Sequence, residues 1–261
     1  GQARLTAQSP RRHEMISIID WRMAQCAAHG VEFRFNVWAE AETVLAEEPD
    51  LVIIATGGMP HTEILETGND LVVSAWDILS GDVKPGNRVL LFDDAGDHAA
   101  LQAAELIAES GAKLEIMTPD RSFAPEVMAM NLVPYMRAMQ QKDVTFTVTF
   151  RLQDVVREGD QLRALVGSDY LAAEGGALKE RIVDQVVVNH GIIPLDDIYF
   201  DLKPHSSNLG EVNQADLIAG RPQAVVNNPA GRFQLFRIGD AVSSRNTHAA
   251  IYDALRLLKD L

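Results

Sequence analysis

The sequence predicts an α/β protein built on a largely parallel sheet. Three observations carry that prediction. Strand-like and helix-like periods alternate along most of the chain. Two apolar runs, "DLVIIATGG" and "IVDQVVVNHGIIP", are continuous and stop at glycine, the pattern of strands buried on both faces. The stretch "VLLFDDAGDHAALQAAELIAESGAKLEIMTPD", Val89 to Asp120, reads as strand, tight loop, helix and strand.

The elements follow in order. From Glu14 to His29 apolar residues recur at helical spacing, and Gly30 ends the run as a C-cap does. "VEFRFNV" alternates as a strand, and "AEAETVLAEEP" reads as a short polar helix. "SAWDILSGDVKPGN" holds one or two helical turns and a turn-rich linker. After the Val89–Asp120 unit, "MNLVPYMRAMQQKD" is helical. "VTFTVTFRLQDVVREGDQLRALVGSD" then reads as an antiparallel hairpin turning at Glu158-Gly159-Asp160. "LAAEGGALKER" is a loop, and Leu195 to Gly231 is loop-rich. "RFQLFRIGDAV" is the last strand and "NTHAAIYDALRLLKDL" the last helix.

The 261 residues are 47% apolar, enough for one large or two modest domains and too many for a disordered chain. A formal net charge of −14 lacks the basic footprint of a nucleic-acid binder and opposes docking on anionic membranes. The single cysteine, Cys26, cannot form an internal disulfide, which points to a reducing, cytoplasmic compartment. It lies in an apolar helical pattern and reads as packed. No apolar run is long enough to cross a bilayer. "GQARLTAQSPRRHEM" lacks the order of a signal peptide and reads as a stretch from within a longer protein.

Ligands of open α/β sheets sit beyond the carboxyl ends of strands. Three such ends stand out. At "IIATGG", Thr56 and Gly57 offer a hydroxyl and a backbone that a ligand can approach, although a turn after a buried strand needs glycine anyway. At "FRIGDAVSSRN", Gly239 and Asp240 precede a helix start near Asn246-Thr247. Asp240 is placed to accept sugar hydroxyls or to close an Asx-turn. The third end, "DDAGDH", has one glycine, Gly96, where G-x-G-x-x-G needs three, and Asp93 and Asp94 would repel a pyrophosphate. Helix capping by Asp97 or Asp94 is the stronger reading there, ahead of a metal site.

His98 reads as a surface or cap residue and His190 as packing. His248, opening the final helix, has the best functional placement of the three. Ser243, His248 and Asp253 do not form a hydrolase triad, since Ser243 lacks a G-x-S-x-G elbow. Trp21, Trp38 and Trp76 fall on apolar faces and read as core or interdomain packing. The Met-rich "PEVMAMNLVPYM" reads as core or as a soft contact surface.

The stretches "IIATGGMP", "VVVNHGIIP" and "FRIGDAV", in that order, resemble flavoproteins with two dinucleotide domains of glutathione reductase type. "GQARLTAQSPRRHEM" and "VLLFDDAGDHAALQAAEL" narrow the likeness to the NADH:flavin oxidoreductase family that holds 2,4-dienoyl-CoA reductase and trimethylamine dehydrogenase, within its dimethylglycine or N-methylproline demethylase branch. The resemblance implies two Rossmann-like domains. The first is FAD/ADP-type, discontinuous over 1–86 and 192–261 and truncated at its N-terminus. The second, 87–191, is an inserted NAD(P)-type domain with a degenerate glycine motif.

It implies FAD or ADP in the parent protein, with FMN and a 4Fe-4S cluster on an N-terminal TIM barrel absent from this sequence, and possible loss of nucleotide binding by this portion alone. Residue by residue, Asp240 would bond the ribityl or sugar hydroxyls and Gly239 would allow the approach. Thr56 and Gly57 would lie near the pyrophosphate, and Val37 would meet the adenine edge through its backbone. Gln2 and Arg245 would face the barrel or the flavin end. No catalytic residue and no metal ligand is expected in this portion. The implied partners are the protein's own barrel, a separate electron carrier and further copies of itself, with no nucleic acid and no membrane. Two other readings compete: the C-terminal half of an NADPH-dependent dienoyl-CoA reductase, and a pair of non-catalytic assembly domains.

Overall fold

The computed structural model describes residues 1–171 and 178–259. Helices α1 (Gln2–Gln8), α2 (Ile16–Ala28) and α3 (Ala41–Ala46) come first. Strands β1 (Leu51–Ile54), β2 (Gly58–Pro60) and β3 (Val72–Ser74) follow, then α4 (Ala75–Ser80), β4 (Arg88–Asp93), α5 (His98–Glu109), β5 (Lys113–Met117) and α6 (Ala129–Met139). Next are β6 (Val144–Thr147), β7 (Arg151–Glu158), β8 (Gln161–Gly167), β9 (Lys179–Val183), β10 (Gln185–Asn189) and β11 (Ile192–Pro194). The last elements are α7 (Asp197–Leu202), α8 (Gln214–Ala219), β12 (Gln234–Arg237) and α9 (Thr247–Leu258).

The chain divides into two compact units. Unit 1 holds residues 1–25 and 60–191, and unit 2 holds 26–59 and 192–261. This differs from the expected division, which joined 1–86 to 192–261. Residues 60–86 go with 87–191 because β3 hydrogen-bonds to β10 at the sheet edge, with Val72 opposite Val186. Residues 1–25 go the same way, with Arg11 Nε 2.6 Å from Glu105 and Leu5 packed in that core.

Unit 1 is a five-stranded parallel sheet in the order β3-β10-β4-β5-β6. Its central strands β4 and β10 read as continuous apolar runs because both faces are covered. Along β4 side chains alternate: Val89 and Leu91 meet α4, α5 and α6, while Leu90 and Phe92 meet the antiparallel sheet β7-β8-β9. Ser74 and Asp77 form a capping box at α4, and Asp97 caps α5 by accepting the Ala99 N–H at 2.9 Å.

Several elements differ from the expected ones. β6 joins the parallel sheet, so the hairpin comprises only β7 and β8, turning at Gly159 (φ 61°). An alternating edge strand has the same period as a hairpin arm, which is why the two merged in the sequence. The run from Ile182 is broken at Asp184, whose carboxylate accepts the Arg88 N–H at 2.9 Å, leaving β9 antiparallel and β10 parallel. Part of the expected "LAAEGGALKER" loop is β9, and its residues 172–177 lie outside the described residues.

In unit 2, β1 and β12 form a parallel pair, Val52 opposite Leu235 and Ile54 opposite Arg237. Their buried side chains pack with Tyr199, Leu202 and Phe233. Only Val52 and Ile54 of β1 are buried, so this strand is covered on one face among the described residues, not on both. "VEFRFNV" is not a strand: Val31, Phe33, Phe35 and Val37 are all exposed. Alternation marks a chain able to pair, and a strand forms only where a neighbour takes up its hydrogen bonds. Gly30 does end α2, with φ 73° and Val31 N–H bonded to Cys26 O at 2.9 Å. Trp21 and Trp38 are exposed, at 61% and 84%, against the packing expected of them; Trp76 is half-buried.

Candidate functional site

The carboxyl ends of β1 and β12 lie side by side in unit 2 and bring together Thr56, Gly57, Gly239, Asp240 and Arg245. After β1 the chain turns at Gly57 (φ 76°), a conformation that favours glycine. A Cβ there would meet nothing within 4 Å, so the backbone of Gly57 is open to a ligand. Thr56 is committed within the fold, its hydroxyl donating to the Leu195 carbonyl. Leu195 N–H returns a bond to the Gly57 carbonyl at 3.0 Å.

After β12 the chain turns at Gly239 (φ 63°). Here the positive φ favours glycine, and a Cβ would also lie tight, 3.2 Å from Ala250 Cβ on α9. α9 also fixes the turn through Asp253, whose carboxylate accepts the Gly239 N–H at 3.0 Å and pairs with the Arg245 guanidinium. Arg245 donates to the Gly239 carbonyl at 3.3 Å, and its own N–H reaches Asp240 Oδ1 at 3.0 Å. Asn246 caps α9 by accepting the Ala249 N–H at 2.9 Å. Asp240 thus ties the loop back on itself five residues later, a longer span than the two-residue Asx-turn expected from the sequence. The pair of strand ends holds an open backbone at Gly57, the Asp240 carboxylate and an Arg245 guanidinium paired with Asp253.

Arg237, the last residue of β12, was not singled out from the sequence. Its guanidinium pairs with Asp196 and lies over Tyr199, 4.6 Å from the ring centroid. The sequence offers Asp253 only as a member of a triad it does not form; its clasp on Gly239 depends on the turn that brings α9 back to the strand end. Val37 is exposed on the irregular segment after α2, and Gln2 lies on α1 in unit 1. His248 stacks with Tyr252, ring centroids 6.5 Å apart.

In unit 1 the "DDAGDH" loop follows β4. Asp93 is buried and accepts N–H bonds from Gly96 at 2.9 Å, Ala95 at 3.3 Å and Asn189 Nδ2 at 3.0 Å. Burial dominates those bonds and pushes its carboxyl up to about 7. The unfolded side chain ionises near the ordinary value, so between roughly pH 4 and 7 the folded state holds a proton that the unfolded state has lost. Stability is therefore expected to fall as pH rises through that window, by up to about 1.4 kcal/mol per pH unit. Asp93→Asn should flatten the slope in urea unfolding measured across this range; an unchanged slope would show that Asp93 is not its source. His98 is half-buried rather than a surface residue, and burial together with Arg12 lowers its pKa.

No protein-family model matches the chain. It is 72% identical over 261 residues to the "Probable N-methylproline demethylase" of Rhizobium meliloti (strain 1021), covering all of this chain and 38% of that protein. It is 41% identical over 271 residues to the "N,N-dimethylglycine/sarcosine dehydrogenase" of Chromohalobacter salexigens, again all of this chain and 38% of that protein. Among solved structures, a 2-naphthoyl-CoA reductase in complex with 2-naphthoyl-CoA matches with a TM-score of 0.75 at 24% identity, over 98% of this chain and 34% of that one. The last likeness shows a shared fold. The chain spans about two fifths of the length of the curated relatives it matches and is homologous to them from end to end.

Proposed function

We propose that this chain, a homologue of part of the N-methylproline demethylase and dimethylglycine/sarcosine dehydrogenase proteins, is the nucleotide-binding portion of a flavin-dependent oxidoreductase acting on a methylated amino acid. The observation that carries the proposal is the 72% identity to the first of these over all 261 residues. The redox chemistry would be supplied by a flavin held by the rest of the polypeptide, and this portion's residues would serve nucleotide binding. This portion does not turn over substrate alone.

The ends of β1 and β12 hold an FAD or ADP. Asp240 would accept its sugar hydroxyls and the Gly57 backbone would take its pyrophosphate, beside an Arg245 guanidinium that is paired with Asp253. FMN and an iron–sulfur cluster on a barrel, a separate electron carrier, a homo-oligomer and a cytoplasmic setting complete the reading. A second reading, in which these units serve only assembly, is favoured by the hydroxyl of Thr56 being spent on Leu195.

The test uses the protein expressed at full length from its own gene. Nucleotides are released and identified, then the measurement is repeated with Asp240→Ala. The expected result is FMN plus one adenine nucleotide, with the second reduced at least ~10-fold in the variant, as loss of a charge-assisted hydroxyl contact implies. FMN alone in both proteins would reject the nucleotide site and favour assembly. An adenine nucleotide equally retained in both would place it elsewhere.

A further inference from the structure

The loop after β4 has the position of a phosphate-binding loop and a different wiring. From β4 the chain runs to β5 and β6 on one side, and β10 lies on the other, so strand order reverses between β4 and β10. A crevice beyond the carboxyl ends of such strands is where ligands of open parallel sheets bind. A phosphate loop presents its backbone N–H groups to the ligand. In this loop those of Asp94, Ala95 and Gly96 are taken up by the protein's own carboxylate and carbonyl oxygens. Gly96 and Ala95 donate to Asp93, Asp94 and Ala95 donate to the Asn189 carbonyl at 2.9 and 3.2 Å, and Ala99 donates to Asp97. Gly96 (φ 66°) also lies tight against Pro125, with room for a Cβ only 2.6 Å from the ring.

Beside the loop the Asp94 carboxylate lies between two side chains from other elements, of which Arg151 donates a hydrogen bond and His190 is in close contact without one. His190, just after β10, has Nδ1 2.7 Å away, and Arg151, opening β7, has Nη1 3.1 Å away. The His61 ring stands 5.0 Å from that of His190, and Arg151 turns its Nε to Asp169 at 3.3 Å. A guanidinium bonded to an oxygen, with an imidazole nitrogen at contact distance from the same atom, is a pair of groups that a phosphate oxygen also uses.

We propose that Asp94 is an internal counter-anion: its carboxylate occupies an anion position built by Arg151 and His190 at the switch point of the unit 1 sheet, and so closes that position to phosphate-bearing ligands. The unit thereby keeps the frame of a dinucleotide domain while its own side chain fills the place of the ligand's charge. The inference stands apart from the Asp240 site and does not depend on it.

The test is titration calorimetry of the full-length protein with inorganic pyrophosphate. Asp94→Ser is expected to bind at least ~10-fold more tightly than wild type, since a like charge at contact distance is removed. Adding Arg151→Ala to Asp94→Ser should abolish the gain. Asp94→Asn, which keeps the side chain's shape without its charge, should change affinity in the same direction and serves if the serine variant does not fold. Equal affinity in wild type and both Asp94 variants would overturn the proposal, as would a gain that survives loss of Arg151.

Discussion

Gly68→Ala is expected to cost more than ~3 kcal/mol, enough to leave unit 1 largely unfolded at moderate temperature. Two effects add. Gly68 has φ 89°, where a side chain is strained, and its Cβ would stand 1.9 Å from the Val155 carbonyl oxygen. The neighbour is backbone within β7, so it cannot rotate away. The surrounding turn is held there: Thr67 donates from its N–H and hydroxyl to Asp154 at 3.2 and 2.8 Å, and its carbonyl accepts from Val155 N–H. The register shift between Leu152 and Asp154 is what turns Asp154 toward Thr67. Gly159→Ala is the control. Its φ is 61°, but nothing lies within 4 Å of its Cβ, so backbone strain alone applies, about 1 kcal/mol. Urea midpoints of the two variants should differ accordingly, and equal midpoints would refute the clash.

Asn208→Ala is the second large effect, expected at about 2–4 kcal/mol. Asn208 is buried in unit 2. Its Oδ1 accepts the Leu235 N–H at 2.9 Å, and its Nδ2 donates to the carbonyls of Leu235 at 2.9 Å and Glu211 at 3.0 Å. Alanine would strand an N–H and two carbonyls away from water. Asn227→Ala, an exposed asparagine bonded to Glu211, should fall within about 0.5 kcal/mol of wild type. Thermal unfolding of both checks the contrast, and an Asn208 variant as stable as the Asn227 variant would show that water replaces the lost partners.

Local chemistry was legible in the sequence, and pairing was not. Gly30 and Asp97 end and cap helices for reasons contained within a few residues, and the Val89–Asp120 unit declares its period. By contrast, "VEFRFNV" carries a strand's alternation and forms none, because a strand exists only with a partner strand and none among the described residues pairs with it. The same limit applies to the candidate site. Gly239 and Asp240 stand out at a strand end, yet the commitment of Thr56 to Leu195 joins positions far apart in the sequence. Asn208 lies in a stretch read only as loop, and what it bonds is a strand reached 27 residues later.

That segment has a consequence for solubility. Arg232 N–H bonds the His205 carbonyl at 3.2 Å, Ser207 N–H bonds the Phe233 carbonyl at 2.8 Å, and Asn208 takes both backbone groups of Leu235. Residues 205–208 therefore cover the start of the β12 margin, at Leu235 and the two residues just before the strand. An open margin is a template on which a foreign strand can grow, the first step toward fibrils or swapped assemblies. Here a foreign strand must first strip away a segment anchored by a buried side chain, so aggregation through this margin waits on local unfolding.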